Sequence, residues 1–295
     1  MNILDDVKMQ YKMGGFELKI IFWNIAVYLI SLPLFYQFSA GYFEFPDWIS
    51  LSSNASNILF KPWTVLTYAF FHAGFMHLFF NMIVLNFSGR IFLTFFTQKQ
   101  FLGLYLLGAI FAGLIFVLSY TILGLGTSAI VGASGAIMAV LVSGATYAPF
   151  MNLRLLLIGN VKLWQVTFVI LLLDLIQISV ENTGGHIAHL AGALFGFIFV
   201  KLLQNGTDLS KGLTFIIDKM VNITGKNKKV PFKKVHRNYT KTNHTKAKIV
   251  IKDKNQQQID DILDKISQSG YDSLSKEEKE FLFKAGKQFQ SKNIK

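Results

Sequence analysis

The chain has no cysteine among its 295 residues. That excludes disulfides, thiolate catalysis and Cys-ligated zinc. Prolines number only five, and charged residues make up 16% of the chain against 52% hydrophobic. So little charge in so apolar a chain excludes most soluble globular classes and suits a protein with several membrane spans. Aromatics are plentiful, 29 of them Phe. The charge that is present lies unevenly: residues 1–200 carry a net +1 and residues 201–295 a net +11. A nearly neutral membrane body with a basic tail implies a cytoplasmic tail close to anionic lipid headgroups. The lysines are not interleaved with stacking aromatics, so no nucleic-acid partner is expected.

A spanning helix needs about 20 mainly apolar residues. Six stretches qualify, at 18–38, 74–96, 101–123, 130–150, 162–181 and 186–204. The first is too long for a cleaved signal-peptide core, lacks a small-residue cleavage site, and reads as a retained anchor. Residues 39–73 are too many for a plain connector, which implies a structured first external loop. Lys8, Lys12 and Lys19 precede span 1, Arg90 and Lys99 flank the second connection, and Arg154 and Lys162 flank the fourth. The opposite side carries Glu44, Asp47 and Glu181, with Lys61 as its only base. By the positive-inside rule both termini are expected in the cytoplasm.

The expected organisation is a cytoplasmic N-terminal segment at 1–17, a six-span all-α bundle at 18–204, a basic tether at 205–257 and a small helical segment at 258–295. In the last segment Ile259, Ile262, Leu263 and Ile266 recur at helical spacing, Gly270 is a stop, and Ser275 with Glu278 forms a capping-box pattern.

Polar groups are costly in hydrocarbon, so those inside the spans point to function. Ser134 lies in Gly132-Ala-Ser134-Gly135, and spans 2 and 6 carry His77 with Asn81 and His186 with His189. The orientation puts all of these at one depth, near the outer face. A serine hydroxyl needs a base to become a nucleophile, and His189 is the candidate. Gly192 and Gly196 give span 6 a small-residue face shared with His189, and Ser134, Gly135 and Ala139 give span 4 a matching one. His77 and Asn81 are four apart on one helix face, and with the backbone N–H of Ser134 they could hold an oxyanion.

The ordered motifs His72-Ala-Gly-Phe-Met-His77-Leu-Phe-Phe-Asn81, Gly132-Ala-Ser134-Gly135 and Ala188-His189-Leu-Ala-Gly192-Ala-Leu-Phe-Gly196 resemble the rhomboid family of intramembrane serine proteases over residues 18–204. The resemblance implies a six-helix fold with a Ser–His dyad, no triad aspartate, no metal and no cofactor. It implies Ser134 as nucleophile, His189 as general base and acid, and His77 and Asn81 as oxyanion donors. It further implies transmembrane substrates cut near their outer ends, and a bacterial cell membrane. Three positions depart from the family's pattern. Trp63-Thr64 stands where a Trp-Arg pair is frequent, Leu93 where a glutamate is frequent, and Met138 where a Tyr or Phe packs on the histidine.

Each residue also has a plainer reading. Ser134 alone would be a helix-packing serine; joined to His189, His77 and Asn81 it reads as catalytic. His72 could line the water-filled entrance or merely cap span 2, and the structural reading is favoured. His186 and His189 have the i, i+3 spacing of metal ligands but no carboxylate near them in sequence, so no metal is expected. Asp174, in the middle of the fifth span as delimited, costs about 2.5–3.5 kcal/mol to insert on translocon scales and must face protein or water. It could be a third catalytic member, but its apparent depth, nearer the bilayer centre than Ser134 and His189, favours a structural hydrogen bond. A silent rhomboid-like protein that binds clients would be expected to lack Ser134 or His189. A six-span transporter would show an internal repeat and more polar residues at mid-depth.

Overall fold

The computed structural model describes residues 2–155, 159–180, 182–224 and 254–292. The chain divides into two compact units, 1–227 and 228–295.

The first unit is a helical membrane bundle. It opens with α1 (Ile3–Met13), which has Asp5 and Asp6 in its first turn and Lys12 in its last, matching the helix dipole at each end. Helix α2 (Phe16–Phe35) follows and buries Ile20, Asn24, Tyr28 and Ser31 along one face. The loop after it is structured. Strands β1 (Tyr36–Gln37) and β2 (Tyr42–Phe43) pair with each other. Next come β3 (Leu51–Ser52), α3 (Ala55–Phe60), α4 (Thr64–Thr67) and a 3₁₀ turn at Tyr68–Phe70.

The chain then runs through α5 (Phe75–Phe95) and α6 (Gln98–Leu123). Thr97 and Gln100 close a capping box at the start of α6, and Gly124 ends it in the left-handed conformation. Strand β4 (Ala129–Ile130) pairs antiparallel with β3, setting Leu51 opposite Ile130. Helix α7 (Ser134–Tyr147) follows. Strands β5 (Asn152–Leu155) and β6 (Gly159–Lys162) pair and lead into α8 (Leu163–Gln177), then α9 (Thr183–Gln204) and α10 (Ser210–Thr224).

Two of the six expected spans are shorter than their apolar stretches. The stretch 130–150 contains only 14 helical residues, about 21 Å at 1.5 Å per residue, against a hydrocarbon core of about 30 Å. Its start is taken by the β3–β4 pair, and its end falls where Pro149 disfavours helix at Ala148. The stretch 162–181 yields the 15 residues of α8. Four other helices, α2, α5, α6 and α9, are long and apolar enough to cross a membrane.

The core lies among α5, α6, α7 and α9, where Leu85, Phe92, Leu104, Tyr105 and Phe116 are fully buried. Outward faces carry Phe79 and Ile83 on α5 and Phe168, Val169, Leu172 and Leu173 on α8, all exposed as lipid-facing side chains would be. Residues 210–224, expected within the tether, form α10 instead. Asp208 accepts from the backbone N–H and hydroxyl of Ser210 at its start, and Gln100 Nε2 donates to Asp208 at 3.1 Å. Residues 225–253 of the expected tether lie outside the described residues, and 254–257, also expected in the tether, are helical.

The second unit contains α11 (Lys254–Ser269), a 3₁₀ turn at Tyr271–Ser273 and α12 (Lys276–Lys292). Gly270, at φ +79°, breaks the first helix. The Ser275 N–H donates to Glu278 at 2.7 Å and the Glu278 N–H to Ser275 Oγ at 3.2 Å, a reciprocal cap. Among the described residues, Ile262 and Leu274 are its buried apolar side chains.

Candidate active site

Ser134 is the first residue of α7, where backbone N–H groups have no intrahelical acceptor. The chain reaches it through Gly132, at φ +138°. A Cβ there would fall 2.8 Å from Cε1 and 2.9 Å from Nε2 of His77, so backbone conformation and space both call for glycine. The Gly132 N–H donates to the Tyr68 carbonyl at 3.0 Å, and the Tyr68 hydroxyl donates to the Ala109 carbonyl at 2.9 Å. Together with the β3–β4 pair, these bonds fix the approach to Ser134.

Helices α7 and α9 meet backbone to backbone. A Cβ on Gly192 would overlap the carbonyl of Gly135, and one on Gly196 the carbonyl of Ala139. Gly135 in turn has no room for a Cβ, which would lie 2.8 Å from Ala112 Cβ. Ser143 Oγ donates to the Gly196 carbonyl at 3.0 Å, tying the same two helices further along. This approach brings Ser134 and His189 to the wall of one cavity of about 540 Å³.

His77 and Asn81, from α5, line the same cavity. Asn81 is 8% exposed, and its Nδ2 has no hydrogen-bond partner among the described residues. A buried amide donor left unpaired costs about 1–3 kcal/mol, which something entering the cavity could recover. His72 is fully buried and packs edge-on against the His77 ring, with centroids 5.0 Å apart. It supports that ring and does not line the cavity. Asn182, Gly185, Met76 and Phe80 do line it, and sequence alone did not single them out.

Asp174 is not at the depth its sequence position suggested. Helix α8 stops at Gln177, three residues beyond it, so Asp174 sits in the last turn, at the end of the bundle where α9 begins. There its Oδ1 accepts from Nδ1 of His186 at 2.7 Å and from Nδ1 of His189 at 2.8 Å. An ionised carboxylate only accepts, so opposite one each Nδ1 carries the hydrogen, and a neutral ring then keeps its lone pair on Nε2. The carboxylate that the histidine pair lacked in sequence is thus supplied by another helix. The ligand atoms of these three residues lie within 4.8 Å of one another. Ligand atoms on a tetrahedral zinc would stand about 3.3 Å apart. The observed 2.7 and 2.8 Å are direct hydrogen bonds.

Residues 59–205 match the family model described as the rhomboid domain. The chain belongs to the rhomboid family. Residues 250–287 match a second family, of unknown function (DUF6576), and comparison with curated proteins found no match. Rhomboid proteins are generally intramembrane serine proteases, and the apolar helices make this one a membrane protein.

The three departures from the rhomboid pattern have plain surroundings. Met138 does not line the cavity; it is buried in a separate apolar cluster with Ile91, Leu141, Leu163 and Ala193. Trp63 Nε1 donates to the Trp48 carbonyl at 2.9 Å, and Thr64 Oγ1 to the Lys61 carbonyl at 2.7 Å, so the first loop of this rhomboid is braced without an arginine there. Leu93 packs, partly buried, on the main core.

Proposed function

We propose that this rhomboid is an active serine endopeptidase that cuts transmembrane segments of other membrane proteins near their outer ends. The observation that carries the reading is the single cavity lined by Ser134, His189, His77 and Asn81, with the Asn81 amide unpartnered. Ser134 Oγ attacks the scissile carbonyl carbon while His189 Nε2 takes its proton. The carbonyl oxygen, now an oxyanion, is held by the Ser134 N–H, Asn81 Nδ2 and His77. As the C–N bond breaks, His189 returns the proton to the leaving amine. Water then attacks the acyl-enzyme by the same route in reverse and releases the carboxylate. No cofactor or metal takes part.

The lysine and arginine distribution supports cytoplasmic termini, with the cavity end of the bundle facing outward. The family resemblance supports a bacterial cell membrane. The basic tail would rest near anionic headgroups, and no role with nucleic acid is proposed.

The test is cleavage of a single-span substrate by purified protein in bilayers, beside Ser134→Ala and His189→Ala. Wild type cleaves and both variants lose activity, and a fluorophosphonate attaches to Ser134. Cleavage undiminished in Ser134→Ala overturns the reading. A client-binding protein without activity would hold the substrate and cut nothing.

A further inference from the structure

Among the described residues, Asp174 is the carboxylate whose hydrogen bonds reach the candidate general base, and the geometry points to a Ser134–His189–Asp174 relay in which Asp174 positions His189. The inference rests on the proposed roles of Ser134 and His189 and changes the expected dyad into a three-residue arrangement.

Helix α8 is mostly exposed and apolar. Its buried residues are Leu163, Thr167 and Asp174, one stripe turned toward α7 and α9. Thr167 satisfies itself by donating to the Leu163 carbonyl at 3.0 Å. Asp174 makes no such local bond, and its second oxygen, Oδ2, has no partner among the described residues. The whole hydrogen bonding of a buried carboxylate is therefore given to two histidine rings on α9.

A purely structural aspartate could be satisfied by one of those rings. His186, with a side chain 10% exposed, is deeper than His189, at 21%, and would suffice to pin α8 to α9. The second bond, to His189 at 2.8 Å, has a different consequence. It holds the hydrogen on Nδ1 and so leaves the lone pair on Nε2, the nitrogen that must accept from Ser134. It also fixes the ring about its χ angles at the cavity wall. When His189 takes the serine proton, the carboxylate stands beside the new positive charge and stabilises it; no proton moves to Asp174. His186 completes the device by holding the same oxygen from the other side, which stops the carboxylate from rotating away.

The experiment uses the full chain in bilayers, wild type beside Asp174→Asn and His186→Gln, with two readouts. The first is steady-state cleavage, separated into kcat and KM. Asp174→Asn lowers kcat by about 100-fold with KM within roughly twofold, since a misplaced base forfeits part of its catalytic factor of about 10²–10⁴. His186→Gln, which leaves the Asp174–His189 bond in place, lowers kcat far less than Asp174→Asn does. The second is the ¹⁵N spectrum of labelled histidine, assigned to His189 by substitution. Wild type shows protonated Nδ1 and bare Nε2, and Asp174→Asn shifts protonation toward Nε2. Wild-type kcat in a folded Asp174→Asn overturns the inference and leaves the protease reading intact. A wild-type His189 protonated on Nε2 overturns it too, without any variant having to fold. No cleavage by wild type overturns the protease reading first.

Discussion

Gly192 of α9 stands so close to the carbonyl of Gly135 on α7 that a methyl group cannot lie between them. The obstacle is backbone on both sides, so no side-chain rotation can relieve it. Gly192→Ala must push the helices apart, at a cost of about 1–3 kcal/mol for overpacking. The melting temperature in detergent falls, and activity falls further than stability, because Ser134 and His189 sit on the two displaced helices. A variant as stable and active as wild type would show that the contact is slack.

Asn81→Ala should separate chemistry from folding. The Nδ2 atom has no partner to lose, so the melting temperature stays close to wild type. Loss of one oxyanion donor lowers kcat by about 10²–10³. Unchanged kcat would remove Asn81 from the proposed oxyanion hole.

Chelation tests the nature of the Asp174, His186 and His189 cluster. Bonds of 2.7 and 2.8 Å between nitrogen and oxygen leave no place for a cation among those atoms. Prolonged treatment with EDTA should leave cleavage unchanged. Activity lost to EDTA and restored by zinc would contradict this.

The second unit has its own pH dependence. The backbone N–H of Ser275, and then Lys265, hold the Glu278 carboxyl below the usual carboxylate range. A depressed folded pKa stabilises the fold above the unfolded pKa, and that contribution is lost as pH falls through the folded value. The start of α12 should therefore loosen on acidification. Backbone ¹⁵N spectra of the full chain should show residues 275–280 changing with pH in wild type and little in Glu278→Gln.

Much of the site could be read from sequence because its signals are local. Gly192 and Gly196 share a helix face with His189, His77 and Asn81 are one turn apart, and Gly132 precedes Ser134; each spacing already implies a face. The Ser275–Glu278 cap was legible for the same reason. Asp174 was misplaced because hydropathy does not mark where a helix ends. Residues 178–180 are as apolar as those before them, yet α8 stops at Gln177. A usable signal was present: Thr167 and Asp174 are seven residues apart on a mostly apolar helix, the spacing of one inward stripe. The short α7 was hidden likewise, since Ala129 and Ile130 are apolar whether they begin a helix or pair with Leu51 and Ser52.

That last pairing has a consequence for how the protein comes into being. Ser53 and Ser128, 75 residues apart, are bonded where the first loop meets the strand leading to Ser134. Contacts so distant in sequence close late in folding. Until α5 and α6 are in place, β4 has no partner and the approach to the nucleophile is undefined. A nascent chain would carry every residue of the site and still be inert. The proposed hydrolytic activity would then arrive only with the finished bundle, sparing the half-built protein and its neighbours in the membrane.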